Sequence, residues 1–351
     1  MKSWHLDPWK AFLAAAVFLL AGGARAGEPA LPAIETLDPP QAGFYGRVLS
    51  LDGIPIKAHA VVSDAAIYEV YHRLSRLLAH LPQARTNLVS AGAEFHVIGQ
   101  NQMMVDLPEC QMWKGKKFEG DLTLDQRDRG WGGLMSSCGE ENLLALPTDR
   151  YRDHRDICTH EFAHTLMAFG LSDDIVRRIK EQYQSSVSKG LWKAYAGTNP
   201  DEFFAELTMW YFGSRGDYGK ITPPPQLGKA WLAAYDPEAF ALLDALYTGR
   251  VTVGARVWKR LPLVDLDKIS TLRSGQSERR SILTARNLRG SKCEVFWVDF
   301  SGKRVPYGEM EPFGVWSGNT YATHSWLFTD EKQQPLAAVV AEETPGRVDL
   351  R

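Results

Sequence analysis

The chain lacks a strong charge of either sign, and that absence narrows its range of partners. Its 351 residues include 40 lysines and arginines against 42 aspartates and glutamates, so the formal net charge is -2. A protein that binds nucleic acid or an anionic membrane through its overall field carries a clear excess of basic residues. The composition therefore gives no support for either partner, and we predict none.

Long apolar runs are also scarce, and the one that stands out lies at the N-terminus. Lys2 and Lys10 flank the start, an apolar run covers 11–20, and small residues follow up to 24–26. This order is typical of a secretory signal, here cleaved after Ala26. An uncleaved anchor helix is the alternative, but the run is short for a bilayer. We predict a secreted or periplasmic protein with no stable membrane span after cleavage.

Cysteine is rare, with four in the chain. Export would place these residues in an oxidising compartment, where disulfides form and persist. Cys110 and Cys138 bracket a polar stretch that contains glycine, and we expect a disulfide between them to close that loop. Cys158 and Cys293 are expected to be buried thiols. Four cysteines allow three pairings, however, and the sequence alone does not choose among them.

The rest of the composition is that of a folded protein. The periodicity of its hydrophobic residues changes near residue 251. Hydrophobic residues make up 44% of the chain and aromatic residues 11%, which is typical of globular proteins. Before residue 251, apolar residues recur with the spacing of helices. After it, short runs of alternating apolar and polar residues lie between turns, which is typical of strands. We predict an α+β domain followed by a small all-β sandwich. The predicted divisions are a signal peptide at 1–26, a leader at 27–58, the α+β domain at 59–250, a linker at 251–271 and the β module at 272–351.

The most informative motif is His160-Glu161-Phe162-Ala163-His164, which lies in a predicted helix. Histidines four residues apart share one helical face, so both imidazoles can bind the same metal ion. Glu161 then lies beside the site and can take a proton from an attacking water. A five-residue match also arises by chance, and two histidines do not complete a catalytic zinc site. The motif therefore indicates such a site only if the chain supplies a third ligand.

Glu202 offers that third ligand on a later predicted helix. A histidine six residues after His164 would complete a different zinc site, but Gly170 occupies that position. Glu206 follows Glu202 by four residues, so one carboxylate can bind metal while the other orients a ligand histidine. The alternative for Glu206 is an ordinary solvated side chain. We predict one catalytic Zn²⁺ held by His160, His164 and Glu202.

This arrangement resembles the gluzincin metallopeptidases, and most closely the anthrax lethal-factor-like group. The resemblance covers about residues 60–250, although only 160–164 and 202–206 are specific to it. It implies a zincin-like fold with the motif helix, a small sheet and a second helix that bears the glutamate ligand. It also implies that Tyr195 donates a hydrogen bond to the developing oxyanion. The alternative for Tyr195 is plain packing.

A second resemblance links the β module to the β domain of the von Hippel–Lindau tumour suppressor. It covers about residues 272–345 and rests on the motifs at 297–302, 306–307 and 324–330, which keep the family's spacing. In that family these positions form a pocket for 4-hydroxyproline in an extended peptide. The resemblance therefore implies that this module binds peptide.

The implied pocket can be carried over residue by residue. Trp297, Tyr307 and Trp326 would enclose the pyrrolidine ring, and His324 and Thr320 would pair with its hydroxyl. The family has serine where Thr320 stands, so the hydroxyl is kept while a methyl group is added to the pocket. The alternative for Trp297 and Trp326 is ordinary packing in the core of a sandwich, which is the usual role of aromatic residues in strands.

Together these motifs predict an exported zinc endopeptidase whose C-terminal module binds proline- or hydroxyproline-containing peptide. Its partner would be a peptide or protein substrate, with hydroxyproline-rich chains as one class. Two alternatives stay open. The β module could be only structural, or the chain could be a peptide-binding protein without catalysis whose first domain is a zinc-stabilised scaffold.

Overall fold

The computed structural model describes residues 31–351, so the predicted signal peptide lies outside the described residues. Within this part, a mixed α/β region is followed by an all-β region, as predicted. None of the described helices is long and apolar enough to cross a membrane.

A six-stranded mixed sheet lies at the centre of the α/β region. The strands of this region are β1 (Glu35–Gln41), β2 (Tyr45–Leu51), β3 (Ile54–Ala58), β4 (Glu94–Ile98), β5 (Lys117–Glu119), β6 (Leu122–Thr123), β7 (Gly130–Trp131) and β8 (Met135–Gly139). The sheet order is β1-β2-β3-β4-β8-β7, and β5 pairs with β6 separately. Strands β3, β4 and β8 are parallel, and the other neighbours are antiparallel.

Nine helices accompany this sheet in the described chain. They are α1 (Asp64–Leu78), α2 (Pro82–Ala91), α3 (Leu124–Arg127), α4 (Glu140–Leu143), α5 (Ile157–Thr165), α6 (Asp173–Ser188), α7 (Pro200–Tyr211), α8 (Lys229–Tyr235) and α9 (Pro237–Tyr247). Helix α1 shows how the sequence sets them. Ser63 caps its first turn by accepting from the Ala66 amide, and Ile67, Val70 and Leu74 face the core at helical spacing.

The predicted leader at 27–58 is wrong over its described part. Strands β1 to β3 belong to the main sheet, and Leu49, Ile54 and Ile56 are fully buried in the main core. The prolines of this segment suggested an irregular chain. Pro39 and Pro40, however, lie on β1, which is an edge strand and therefore tolerates residues without a backbone donor.

The predicted disulfide between Cys110 and Cys138 is also wrong, since all four cysteines are unbridged thiols. Cys110 lies in a 3₁₀ turn, Pro108–Trp113, and packs in a small cluster beside the main sheet. Cys138 lies on β8 in the main core, as does Cys158 on α5. The stretch between the two cysteines folds as strands and a short helix rather than as one open loop.

The all-β region is a sandwich of two four-stranded sheets. Its strands are β9 (Lys259–Arg260), β10 (Arg280–Asn287), β11 (Cys293–Val298), β12 (Arg304–Met310), β13 (Val315–Tyr321), β14 (Ser325–Thr329), β15 (Pro335–Val340) and β16 (Gly346–Leu350). One sheet has the order β13-β10-β16-β9 and the other β12-β11-β14-β15. Leu283, Val295, Phe328 and Val339 are among the side chains buried between them.

The segment predicted as a linker, 251–271, packs against both regions instead of standing open. Val253 and Trp258 belong to the core of the α/β region. Strand β9 then pairs with β16, and Val264 and Ile269 cover the outer face of the second sheet. The chain therefore anchors a few side chains in one core and then in the next, while most residues of the segment stay exposed.

Buried polar contacts join the two regions. Arg286 of β10 lies 3.0 Å from the Glu94 carboxylate and donates to the Gly92 carbonyl at 2.9 Å. Arg347 of β16 donates to the Ser90 carbonyl at 3.0 Å. Gly92 has a φ of +85°, and a Cβ there would come within 2.6 Å of Arg347 Nη1. The glycine therefore permits both the turn after α2 and the close approach of the two arginines.

Candidate metal centre and aromatic pocket

Helix α5 presents the H-E-x-x-H motif beside the edge of the main sheet. Asp156 caps the helix, and its carboxylate accepts from the Thr159 amide at 3.0 Å. Thr165 donates to the Gly133 carbonyl at 2.5 Å, which ties the end of the helix to the loop after β7. The turn that follows, Leu166–Gly170, is π-helical. These contacts fix the orientation of the face that carries His160 and His164.

Helix α7 brings the glutamates to that face. The Asn199 side chain accepts from the amides of Asp201 and Glu202, at 2.9 Å each, and Pro200 occupies the first helical turn. An N-cap and an early proline are strong start signals. They place Glu202 in the first turn, and α7 packs directly against α5.

Three side chains from the two helices converge at one point. His160 Nε2 lies 3.1 Å from His164 Nε2 and 3.2 Å from Glu202 Oε2, and His164 Nε2 lies 3.4 Å from the same oxygen. A tetrahedral zinc with bonds of about 2.0–2.1 Å separates neighbouring ligand atoms by about 3.3 Å. The spacing of the three atoms therefore fits one zinc ion. Glu202 Oε2 is buried and makes no regular hydrogen bond within residues 31–351, as expected of an oxygen that serves a metal.

Glu206 lies behind His160 rather than in solvent. It is 2% exposed, and its Oε1 is 3.1 Å from His160 Nδ1. Its other oxygen accepts from the Asp217 amide. A Cβ on Gly216 would meet this oxygen at 2.0 Å, so the glycine gives the carboxylate room. Glu206 can thus hold the imidazole with Nε2 turned toward the metal position.

The converging groups set one another's protonation. Burial opposes a charged imidazole, yet the carboxylates of Glu202 and Glu206 raise the pKa of His160 well above its usual value. Burial likewise opposes the charge on Glu202, but the two histidines lower the pKa of its carboxyl. The carboxylates thus favour a proton on the His160 imidazole, which a bound cation would displace.

Glu161 and Tyr195 line the same cleft, which has a volume of about 410 Å³. Burial raises the pKa of Glu161, and the neighbouring histidines only partly offset that effect. The Tyr195 ring stacks on His160, with centroids 6.2 Å apart and planes at 24°. Burial and the Glu202 carboxylate raise the pKa of Tyr195 to about 12, so its hydroxyl keeps its proton and can donate it in a hydrogen bond.

Other cleft residues were not predicted from the sequence. The cleft is also lined by Arg127, Asp128 and Trp131, and Arg127 lies close enough to Tyr195 to influence the pKa of its hydroxyl. Gly130 and Gly132 bring the edge strand β7 close to α5, since a Cβ on Gly132 would meet the His164 side chain at 2.7 Å. The glycine-rich stretch 129–133 was the one sequence feature that could have indicated an edge of the cleft. Its sequence alone did not distinguish such an edge from a simple turn.

The predicted residues of the β module gather where three strands of the second sheet (β11, β12 and β14) meet β13 of the first sheet. Trp297 on β11 pairs in register with Trp326 on β14. The Trp297 ring lies 5.3 Å from the His324 ring, and the Tyr307 ring lies edge-on to Trp326 at 4.9 Å. Tyr307 is 51% exposed, whereas Trp326 is buried. The cluster is thus both part of the sandwich core and open to solvent at its rim.

Some polar groups of this cluster have hydrogen-bond partners within the protein, and others do not. The Trp326 indole donates to the Thr320 hydroxyl at 2.9 Å, and Thr320 is 4% exposed. The Trp297 indole nitrogen is buried and has no hydrogen-bond partner in the described part of the chain. Burial lowers the pKa of His324, so its imidazole is neutral near pH 7 and offers one acceptor and one donor.

Two further exposed aromatic residues extend the rim. Phe300 packs edge-on against Trp297 at 5.4 Å, and Tyr321 lies 5.3 Å from His324. Contiguous exposed aromatic surface is a feature of binding sites rather than of ordinary protein surface. Phe300 lies in a motif noted in the sequence, but Tyr321 was not predicted.

Residues 272–343 match the family model of the VHL beta domain. The matched segment includes Trp297, Tyr307, Thr320, His324 and Trp326. We call the all-β region the VHL-like module from here on. A search of curated proteins found no match to the chain. The resemblance of the α/β region to gluzincins therefore stays a prediction.

Proposed function

We propose that this chain is an exported zinc-dependent endopeptidase whose VHL-like module binds proline- or hydroxyproline-containing peptide. The observation that carries the proposal is the convergence of His160, His164 and Glu202 at spacings of 3.1–3.4 Å beside the carboxylate of Glu161. Chance rarely gives a metal-like triangle, a candidate base and an oriented histidine in one cleft.

A zinc ion bound there would polarise the scissile carbonyl and lower the pKa of water. Glu161 would take the proton from the attacking water and later give it to the leaving amine. Its raised pKa suits that double role, because the carboxyl holds a proton more readily than an exposed glutamate does and can still release it. Glu206 would keep His160 oriented throughout.

Tyr195 would donate its hydroxyl proton in a hydrogen bond to the oxyanion of the tetrahedral intermediate. The stacking of its ring on His160 and its contact with Arg127 support this role. Such a donor contributes about two to three powers of ten in rate. Arg127 would then act as a positioning residue for that hydroxyl.

The VHL-like module would hold the substrate chain. The aromatic rim of Trp297, Tyr307 and Phe300 suits the apolar face of a proline ring. His324 would accept from the hydroxyl of 4-hydroxyproline, and the unpaired Trp297 indole could donate to a nearby oxygen. A site that hydrogen-bonds a hydroxyl discriminates against the analogue without it, because its polar groups are then left unpaired.

A second candidate is a peptidase whose module is only structural. The observation that favours it is that Thr320 is buried and already accepts from Trp326. In that case substitution of His324 would leave cleavage of the true substrate unchanged.

The decisive experiment compares wild type with Glu161→Gln, measuring both zinc content and cleavage of a proline-rich peptide pool with and without 4-hydroxylation. We expect one zinc per chain in both proteins but cleavage only by wild type. Glu181→Gln on the exposed surface of α6 is the matched control and should cleave normally. Zinc in both proteins with equal cleavage would remove Glu161 from the chemistry, and equal cleavage of both pools would remove the hydroxyproline preference.

A further inference from the structure

Three cavities follow one another between the metal centre and the VHL-like module. The cleft at the metal centre is bordered by Asp201, the neighbour of Glu202. Asp201 also lines a second cavity of about 760 Å³, which lies between α6 and β10. We call this second cavity the connecting groove. It shares Glu343 and Thr344 with a third cavity of about 980 Å³ in the VHL-like module.

The third cavity ends beside the chain segment that carries His324. Ala322 and Thr323 line it, and they directly precede His324. The cleft shares Asp201 with the connecting groove, and the groove shares Glu343 and Thr344 with the third cavity. The series therefore runs from the site of Glu202 to Thr323, the residue before His324. A polypeptide that occupies both ends has a surface path between them.

The walls of the connecting groove suit a chain without net charge. Three acidic and three basic side chains line it: Asp173, Asp201, Glu343, Lys180, Arg256 and Arg280. Apolar side chains lie between these charges, among them Val176, Ile282 and Val257, of which Val257 is 44% exposed. Balanced charge gives no preference for a strongly acidic or basic peptide. A proline-rich chain, extended and largely uncharged, fits such walls.

The two ends of this path are held at a fixed separation. The connecting groove is bounded by segments that polar contacts lock together, since the Arg256 amide donates to Asn87 and the Trp258 amide to Ser90, each at 2.9 Å. Arg286 and Arg347 add contacts from the VHL-like module to the turn after α2. A rigid connection of this kind would set a constant distance between an anchored residue and the metal centre.

We propose that one substrate chain runs from the aromatic pocket through the connecting groove to the metal centre, so that the anchored proline or hydroxyproline fixes which peptide bond is cut. This inference rests on the proposed function of both ends. An extended chain advances about 3.1 Å per residue in the polyproline II conformation, so a fixed path length corresponds to a fixed number of residues. Simultaneous contact at both ends also makes the second contact intramolecular.

Peptide binding to zinc-loaded Glu161→Gln tests the path without requiring cleavage. The probes are a long synthetic Pro/Gly/Ala peptide with one 4-hydroxyproline and its two separate halves, measured by fluorescence anisotropy. The long peptide should bind at least about tenfold more tightly than the better half. Lys180→Trp and Asn319→Trp, which fill the connecting groove, should remove most of that advantage. Arg178→Trp changes an exposed cation on the same helix that does not line the groove, and it should preserve the advantage.

Two results would overturn the inference. One is a long peptide that binds no more tightly than its better half; the other is an advantage that survives both tryptophan substitutions. If the two half peptides bind but the long peptide binds no more tightly than the better half, the proposed path through the connecting groove is wrong while the proposed function stands. If neither half binds, the proposed function of the ends fails and the path fails with it. In wild type, mass spectrometry of cleaved peptides should show the cut shifting in step with a displaced hydroxyproline.

Discussion

The candidate metal centre and the aromatic pocket differ in where their polar atoms are directed. At the metal centre, His160, His164 and Glu202 aim their ligand atoms at one point, and Glu206 supports the arrangement from behind. In the pocket, Thr320 already accepts from Trp326, while the Trp297 indole has no hydrogen-bond partner among residues 31–351. The first site gathers three ligand-type atoms at one point, and the second is partly closed within the sandwich core.

This difference predicts that the two sites respond differently to substitution. A side chain whose only favourable partner is a ligand changes binding when it is removed. A side chain that is also part of a core changes stability as well, so its loss is harder to interpret. The sharpest tests therefore use His164 and Glu206 at the metal centre and His324, which is only partly buried, in the pocket.

The largest effect should follow from His164→Ala. Removal of one of three protein ligands should reduce zinc from about one ion per chain to background, and hydrolysis should fall with it. Metal content after dialysis and peptide cleavage are the two measurements. His72→Ala, an exposed histidine on α1, is the control and should keep both. Full zinc occupancy in His164→Ala would place the metal elsewhere.

Glu206→Gln should have a smaller effect on the same site. The amide keeps the shape of the side chain but weakens the charged contact to His160 Nδ1, so zinc affinity should fall about 10- to 100-fold. Competition with a chromogenic chelator measures the affinity. An unchanged affinity would mean that Glu206 only fills space beside α5, and the contrast with His164→Ala separates a ligand from a supporting residue.

In the VHL-like module, His324→Ala should reduce discrimination between hydroxyproline and proline peptides. Loss of one hydrogen-bonding partner of a buried hydroxyl costs about 1–3 kcal/mol, or about 5- to 150-fold in the ratio of affinities. Zinc content should stay at the wild-type level, which shows that the two sites are independent. An unchanged affinity ratio would favour a module that is only structural.

The smallest effect concerns pH. Burial lowers the pKa of His324 below its usual 6.5, so the neutral imidazole persists as pH falls from 8 to 6.5. The hydroxyproline preference should therefore change by less than about twofold over that range and decline only below it. Anisotropy titrations of Glu161→Gln at several pH values measure this. A midpoint at or above 6.5 would show that another group, or an unburied His324, controls recognition.

The sequence predicted the convergence of the candidate metal ligands in more detail than the fold around them. Residues four apart on a helix share a face whatever the tertiary structure, so His160 with His164 and Glu202 with Glu206 follow from spacing. The approach of α5 to α7 came only from a resemblance, because contact between distant helices leaves no local signal. Arg127 and Asp128 were missed for the same reason.

The errors have related physical causes. Prolines in 27–58 were interpreted as a leader because local composition does not show that β1 is an edge strand. Cys110 and Cys138 were paired by sequence proximity, yet they pack in different clusters. Trp258 and Val264 lie in a segment interpreted as a linker because burial by two separate cores gives no single periodicity.

Zinc K-edge X-ray absorption of the purified protein tests the central claim most directly. The account predicts one zinc per chain with two imidazole nitrogens at about 2.0–2.1 Å, one carboxylate oxygen at about 2.0–2.2 Å and a fourth light ligand from solvent, with no sulfur. Loss of one nitrogen in His164→Ala and of one protein oxygen in Glu202→Ala would assign the ligands. Absence of bound zinc, or a sulfur ligand at about 2.3 Å, would contradict the account.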